Sequence, residues 1–434
     1  MFAIEETTTT LAGSYDVCII GAGLAGLAAT LFAANRGLSC LEVGQIGEIN
    51  FASGLLDLLG VYPAKDNQAW NDPWEGIKAL VQDNSRHPYA RLPLDDIRTA
   101  FEEILTILKV NGLPYNRRMN QNSRVITSLG TLKSTYSVPN SMWNSVEALE
   151  KKPPCVLIDI RGLKGFSARQ IASALKSVWP NLRTARISFP DTDHLNEVYS
   201  EQMAGSLIRP KNQEQFARAL QPHIDTAQMV GLPAILGLYR TEEVVSKLQE
   251  LIGVPLFEIP TIPPSVPGLR LKEAFERGVR TKGVQYLSQT RALEVRTQAD
   301  DSFQIGIGRT AVEHIVRARG IILASGRFIG GGLYADRKRI KETLFDLPVY
   351  QPGSRIDWHR RELLDPRGHP VNRAGLETDD SFRPLSSSGQ PAFKKLFAVG
   401  SLLAHNDWKR LKCGAGVAIA SAFGAVKSFL RHGK

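Results

Sequence analysis

Cysteine is scarce: Cys18, Cys40, Cys155 and Cys413 are the only four in 434 residues, and no two form a C-x-x-C pair. Iron–sulfur clusters draw on clustered thiolates, so no self-contained cluster is expected. Long apolar runs are missing too. The longest, CGAGVAIASAFGAV from Cys413 to Val426, falls short of the roughly 18 residues that a membrane helix requires and reads as a buried core helix. The first ten residues, MFAIEETTTT, hold two acids and no apolar segment. They predict neither a secretory signal nor a transit peptide, and hence a cytoplasmic chain whose membrane contact is peripheral or through a partner. Basic residues are not interleaved with aromatic ones, which leaves no nucleic-acid footprint, and no repeat recurs at a fixed period.

What is present is an ample apolar fraction, 43%, and an excess of 53 basic over 43 acidic residues, a net charge of +10. A chain of this size buries a sizeable core in two or three lobes. The positive balance suits anionic substrates, an acidic partner or an anionic membrane face, or else is simply a solvated surface.

The segment DVCIIGAGLAGLAATLFAANRGLSCLEVGQIG, residues 16–47, predicts strand, glycine turn, helix to about Arg36 and a second strand from Leu38 to Val43. Helices are expected at PWEGIKALVQDN and DDIRTAFEEILTILKVNG, and a further strand and helix at CVLIDIRGLKGFSARQIASALKSVW. PTIPPSVP, residues 260–267, breaks any ladder and marks a lobe boundary. The chain then resumes the opening pattern, with strands at ALEVRTQ, SFQIGIG, GIILASG and KLFAVG. The expected fold is α/β: a Rossmann-like flavin-binding domain in two segments, 14–60 and 268–434, with an inserted α/β lobe over 61–267.

Gly21, Gly23 and Gly26 form G-x-G-x-x-G between strand and helix, giving the tight turn, the backbone approach to a pyrophosphate and close helix–strand packing. Glu42 is the acid nearest the place where a ribose carboxylate is expected, but it comes early, and Gly44 stands where the acceptor should be. Ser53 and Gly54 in NFASGLLDLLG either admit a flat ligand or phosphate to the backbone or form a turn capping a helix that begins near Leu55. In GIILASGRFIGGG, Gly326 lets a strand end abut a cofactor, and Arg327 is either an anion ligand or a solvent-facing side chain. Gly400 and Ser401 end a strand, and Gly414 and Gly416 open a small-residue helix whose N-terminus suits the pyrimidine end of a flavin. His405 is a candidate acid or base, and Cys413 is either a thiol near the flavin or inert packing.

The stretches GAGLAGL, FASGLLDLL, HPYA at 87–90, LGTLKSTY at 129–136, PTIPPSVPGLRL, LASGRFIGGGLYADR and LFAVGSLLAHNDWKRLKCGAGVA resemble the B subunit of anaerobic glycerol-3-phosphate dehydrogenase over nearly the whole chain after the first dozen residues. The resemblance implies a flavin-dependent subunit that pairs with a catalytic A subunit; an iron–sulfur C subunit holds both at the inner membrane. The complex oxidises sn-glycerol 3-phosphate to dihydroxyacetone phosphate and sends the electrons to quinone, in fumarate or nitrate respiration. It also implies FMN, whereas the glycine turn is built for a dinucleotide such as FAD. That chemistry asks for a cationic clamp on the phosphate, for which Arg270, Arg327 and Arg383 are candidates, and a base, for which His405 is one. Two other readings stay open: a free-standing flavin oxidoreductase of another small anion, and an assembly subunit without ligand.

Overall fold

The structure, a computed structural model, describes residues 13–432. Strand β1 (Ser14–Ala22) is central and parallel to both neighbours, so its side chains are covered on both faces, as the unbroken run Val17 to Ile20 requires. Helix α1 (Leu24–Asn35) is apolar nearly all round and is correspondingly buried from Ala25 to Ala33. It lies between the sheet and the C-terminal helix Gly414–His432, where Phe32 meets Phe423 edge to face at 5.3 Å. Strand β2 (Cys40–Ile46) runs past Val43, where the sequence suggested an end, so Glu42 sits in mid-strand.

The main sheet has seven strands in the order Gln285–Ser288, β2, β1, His314–Leu323, Phe303–Gly308 and Arg291–Thr297, with Leu396–Ala398 paired to His314–Leu323. Chain from both ends of the sequence therefore builds one sheet. A second sheet of four parallel strands has the order Leu256–Ile259, Met229–Pro233, Cys155–Ile160 and Leu182–Ile187. The stretch 61–139, expected within the inserted lobe, divides: Trp74, Ile77, Phe101, Ile104 and Tyr136 share the core of the main sheet, whereas Ile126 joins that of the second sheet. The amphipathic helix Leu94–Val110 lies on the C-terminal helix, which draws its part of the stretch away from the second sheet.

The connector expected at 260–267 ends in a helix start. Ser265 accepts from the Gly268 amide at 3.3 Å, a proline follows in the first turn, and the Ser265 hydroxyl donates to the Ala52 carbonyl at 2.8 Å. A methyl on Gly268 would lie 2.7–2.9 Å from the carbonyls of Ala52, Ile49 and Asn50. The S-V-P-G spelling thus seats this helix, Val266–Thr281, on the loop that follows β2. No helix begins at Leu55. After the short turn Glu48–Phe51 the chain runs irregularly, with Leu55, Leu56, Leu58 and Leu59 buried beneath it. No helix among the described residues is long and apolar enough to cross a membrane.

Candidate functional site

Three strand ends converge on the glycine turn. Gly21 has φ +120°, and a Cβ there would stand 2.2 Å from the Ala324 carbonyl oxygen. Gly26 lies so close beneath it that a Cβ would be 1.7 Å from the Gly21 oxygen. Gly400, at φ +72°, abuts the first turn of α1, with its absent Cβ 2.7 Å from that of Ala25. These three glycines are required by packing. Gly23 is different: a Cβ there meets nothing within 4 Å. Its outer side is open, and α1 begins beside it with no side chain capping its amides. An uncapped helix start and an open glycine are what a diphosphate needs. Beside them the Ser325 hydroxyl is buried without a partner, next to Gly326 at φ +69°.

The ribose end is built differently. Glu42 is 0% exposed, and neither carboxylate oxygen has a hydrogen-bond partner. Burial pushes its pKa up to about 8; the nearby Thr30 hydroxyl offsets part of that and the Glu276 carboxylate adds to it. Expected as a cofactor ligand, Glu42 is instead enclosed in the core, because β2 continues and turns residue 42 inward one pleat too early. Position 44 cannot take over, since a Cβ on Gly44 would lie 2.4 Å from the Ala22 nitrogen. The residues present fit the pyrophosphate of a flavin dinucleotide and provide no carboxylate for its ribose from positions 42 and 44.

Ser53 and Gly54 lie at the seam with the Val266–Thr281 helix. Gly54 has φ +78°, its absent Cβ would stand 2.7 Å from that of Pro267, and its carbonyl accepts from Tyr115 Oη at 2.6 Å. At the C-terminal helix, the Gly416 amide donates to the Asp57 carbonyl at 2.7 Å, and a Cβ on Gly416 would collide with Tyr89 Oη at 1.9 Å. Gly414 packs on the Trp408 ring. The first turn of that helix is therefore covered by the 57–58 backbone and by Tyr89 of the HPYA stretch. Beneath it His87 is fully buried, its pKa driven down to about 3 by that burial, and it faces Asn406 at 3.3 Å. Cys413 is buried as well, its thiol pKa raised by desolvation, which leaves it inert.

The four proposed catalytic groups separate. Arg270 is buried in an ion pair with Glu258 and has no free donor face toward solvent. Arg383 is tied to Asp379, with Nε at 2.8 Å. Arg327 does not face solvent: it donates to the carbonyls of Ser401 (2.6 Å), Leu403, Asn406 (2.9 Å) and Asn372. Burial lowers its pKa to about 10 while Asp407 and Glu48 support its charge, so it is a cation at neutral pH. It knits the strand end at Gly326 to the segment 401–406. His405 lines a cavity. Its Nε2 lies 2.7 Å from Glu377 Oε1, and burial depresses its pKa despite Glu377, so the ring is neutral. Arg86, Arg91 and Glu377 share that cavity and went unnoticed in the sequence. The signal available was weak: two arginines flanking HPYA, more than 280 positions from the residues they meet.

A mixed sheet whose parallel part brings first turn, re-entrant strand and C-terminal strand end together at an open glycine defines a dinucleotide-binding protein of the flavoprotein class. The FAD binding domain family matches residues 16–417. The B subunit of anaerobic glycerol-3-phosphate dehydrogenase from Yersinia pestis bv. Antiqua is 31% identical over 420 residues, 94% of this chain and 96% of that one. The corresponding protein of Pectobacterium carotovorum is 29% identical over 427 residues, 96% of this chain and 99% of that one. Among solved structures, 3-ketosteroid delta1-dehydrogenase from Sterolibacterium denitrificans is 12% identical, with a TM-score of 0.45 over 96% of this chain and 99% of that one. The chain belongs to the B-subunit family of anaerobic glycerol-3-phosphate dehydrogenase, within the FAD binding domain proteins. The matched family supports a bound flavin, FAD, in keeping with the glycine turn.

The open side of Gly23 gives a direct test. Gly23→Ala is expected to fold like the parent, since its φ of −87° suits alanine, and to weaken FAD binding about tenfold or more by placing a methyl where the pyrophosphate lies. Flavin-fluorescence titration measures this, and an unchanged affinity would put the phosphates elsewhere. Gly26→Ala, by contrast, is expected to lose thermal stability itself.

Proposed function

We propose that this chain is the flavin-bearing subunit of an anaerobic glycerol-3-phosphate:quinone oxidoreductase. It works with two further subunits, a catalytic A and an iron–sulfur C, the latter holding the complex at the inner face of the cytoplasmic membrane. The complex oxidises sn-glycerol 3-phosphate to dihydroxyacetone phosphate and delivers the electrons to quinone. The observation that carries this reading is the likeness to the Yersinia B subunit over almost the full length of both chains. In the same reading the flavin domain comprises 14–60 and 268–434; of the chain inserted between them, the helices of 73–110 pack on that domain and the four-stranded sheet forms the second lobe.

Bound FAD supplies the acceptor for the hydride leaving the secondary alcohol carbon. The chain's own residues do the rest. The amides at the start of α1 and the open face of Gly23 hold the pyrophosphate. Arg327 ties the 401–406 segment and Asn372 to the Gly326 strand end. The neutral His405, oriented by Glu377, is the group able to accept a hydroxyl proton. The four cysteines are buried and free, and no cluster of His, Cys, Asp or Glu among the described residues is arranged to hold a metal, which fits electrons leaving through a partner's centres.

Affinity purification of the tagged chain, co-expressed with the two other subunits, tests this. The expected result is a complex of all three chains that reduces a soluble quinone analogue with glycerol 3-phosphate. A chain that purifies alone and turns over another small hydroxy acid would replace this reading with a free-standing oxidoreductase.

A further inference from the structure

We propose that the cavity between the turn at Pro88–Arg91 and the strand-like segments around Glu377 and His405 is a binding site for a small phosphate monoester. Arg86 and Arg91 grip its phosphate, and His405 meets a hydroxyl on its carbon chain. The site deepens the function proposed above by giving this subunit, rather than only its partner, a place for the substrate, and it rests on that reading for the identity of the ligand.

Size comes first. The cavity holds about 180 Å³. That is below the roughly 300–1,000 Å³ of clefts that take drug-sized ligands, so it selects a molecule of a few carbons. Charge comes second. Two guanidinium groups line it, and both act on the His405 ring, each disfavouring its protonated form. The carboxylates beside them are held from the solvent side and can be displaced. The Arg86–Glu377 contact is 3.7 Å long between side chains 67% and 41% exposed; Arg91, 23% exposed, meets Asp380 at 2.6 Å, and that aspartate is 86% exposed. Exposed pairs of this kind contribute at most about 1 kcal/mol each, which a phosphate dianion accepting from two guanidiniums readily replaces.

The histidine is the third element. His405 has φ +61°, a conformation that a non-glycine side chain holds only when its surroundings fix it. They do: its amide donates to the Arg373 carbonyl at 2.9 Å, the Tyr350 ring lies 4.1 Å from its own, and Glu377 takes Nε2. With the Nε2 proton on Glu377, Nδ1 of the neutral ring is an acceptor for a ligand hydroxyl. Leu376, Leu385 and Leu403 give the carbon chain an apolar wall. Position comes last. The Leu403 carbonyl in that wall accepts from Arg327, whose Nε holds the Ser401 carbonyl beside Gly326. One side chain therefore joins the cavity wall to the segments that converge on the flavin cleft.

The test uses the FAD-loaded complex and two readouts. Calorimetry is performed with sn-glycerol 3-phosphate, glycerol and inorganic phosphate, on the parent and on Arg86→Ala, Arg91→Ala and the double variant. KM for glycerol 3-phosphate is measured in the same proteins. The expected result is binding of glycerol 3-phosphate, weaker binding of inorganic phosphate and none of glycerol. Each single variant should weaken binding about tenfold or more, and the double variant should raise KM while keeping its melting temperature and flavin content. An unchanged Kd and KM in the double variant would overturn the site while leaving the proposed function standing. If glycerol 3-phosphate fails to reduce the flavin but another phosphate monoester binds and is lost in the double variant, the site stands and the function falls. A parent complex that binds no phosphate monoester overturns the site.

Discussion

Glu42→Gln is expected to flatten the loss of stability that the protein suffers as pH rises from about 4.5 to about 8. The carboxyl is raised in the folded state, so the sign is the reverse of the usual acidic residue. Below pH 4.5 both folded and unfolded chains hold the proton and the full stability is present. As pH climbs, the unfolded chain ionises while the core keeps Glu42 protonated up to about 8. Over that window each pH unit removes about 1.4 kcal/mol, or about 5 kcal/mol in all, against a typical total of roughly 5–15 kcal/mol. Gln has no proton to lose. Its amide carries its own unsatisfied donors, a pH-independent cost of about 1–3 kcal/mol. The informative quantity is therefore the difference between parent and variant unfolding free energies at pH 5 and at pH 8.5, from denaturant titrations. A difference that does not change with pH would mean that Glu42 is ionised in the folded protein. FAD affinity should be the same in both proteins, because residue 42 faces the core and not the ribose.

The second large effect concerns the join between the two lobes. Arg270, on the helix that starts at Val266, and Glu258, on the edge strand of the four-stranded sheet, are 3% and 0% exposed. The guanidinium donates Nη2 to Oε1 at 2.9 Å and Nε to the Gly237 carbonyl at 2.7 Å, while Oε1 also accepts from the Leu236 amide at 2.7 Å. Every charged atom is satisfied within the protein. Arg270→Met removes the cation and leaves a buried carboxylate, at an expected cost of about 3–5 kcal/mol. Adding Glu258→Gln removes that stranded charge while keeping an acceptor for Leu236, so the double variant should be more stable than Arg270→Met alone. Simple additivity of the two losses in a double-mutant cycle would contradict the account. Arg270 thus acts in assembly of the fold, and burial against Glu258 closes it off as a phosphate clamp.

Much of the frame was legible because it depends on neighbours in the chain. Periodicity and the three glycines specify the opening strand, helix and strand, and the small-residue helix from Gly414 declares its burial by lacking a polar face. Other features were hidden because a distant partner decides them. The helices between 73 and 110 read like part of the lobe that follows, yet the apolar face of Leu94–Val110 finds the C-terminal helix first. FASGLLDLLG offers a helix cap, but Leu55, Leu56, Leu58 and Leu59 are all buried and the Leu56 backbone pairs with Ser137, which holds the chain extended there. The misplaced acid was visible as a misfit in spacing, and the structure gives the reason: β2 is longer, and Ala22 occupies the space that a side chain at 44 needs. The cavity around His405 was illegible because its cations and its histidine are more than 300 positions apart.

Anaerobic titration of the purified complex with sn-glycerol 3-phosphate, followed by visible absorbance, tests the central claim most directly. The account predicts an oxidised FAD spectrum that bleaches on addition of substrate. A colourless complex, or a flavin spectrum that glycerol 3-phosphate leaves unchanged, would contradict it.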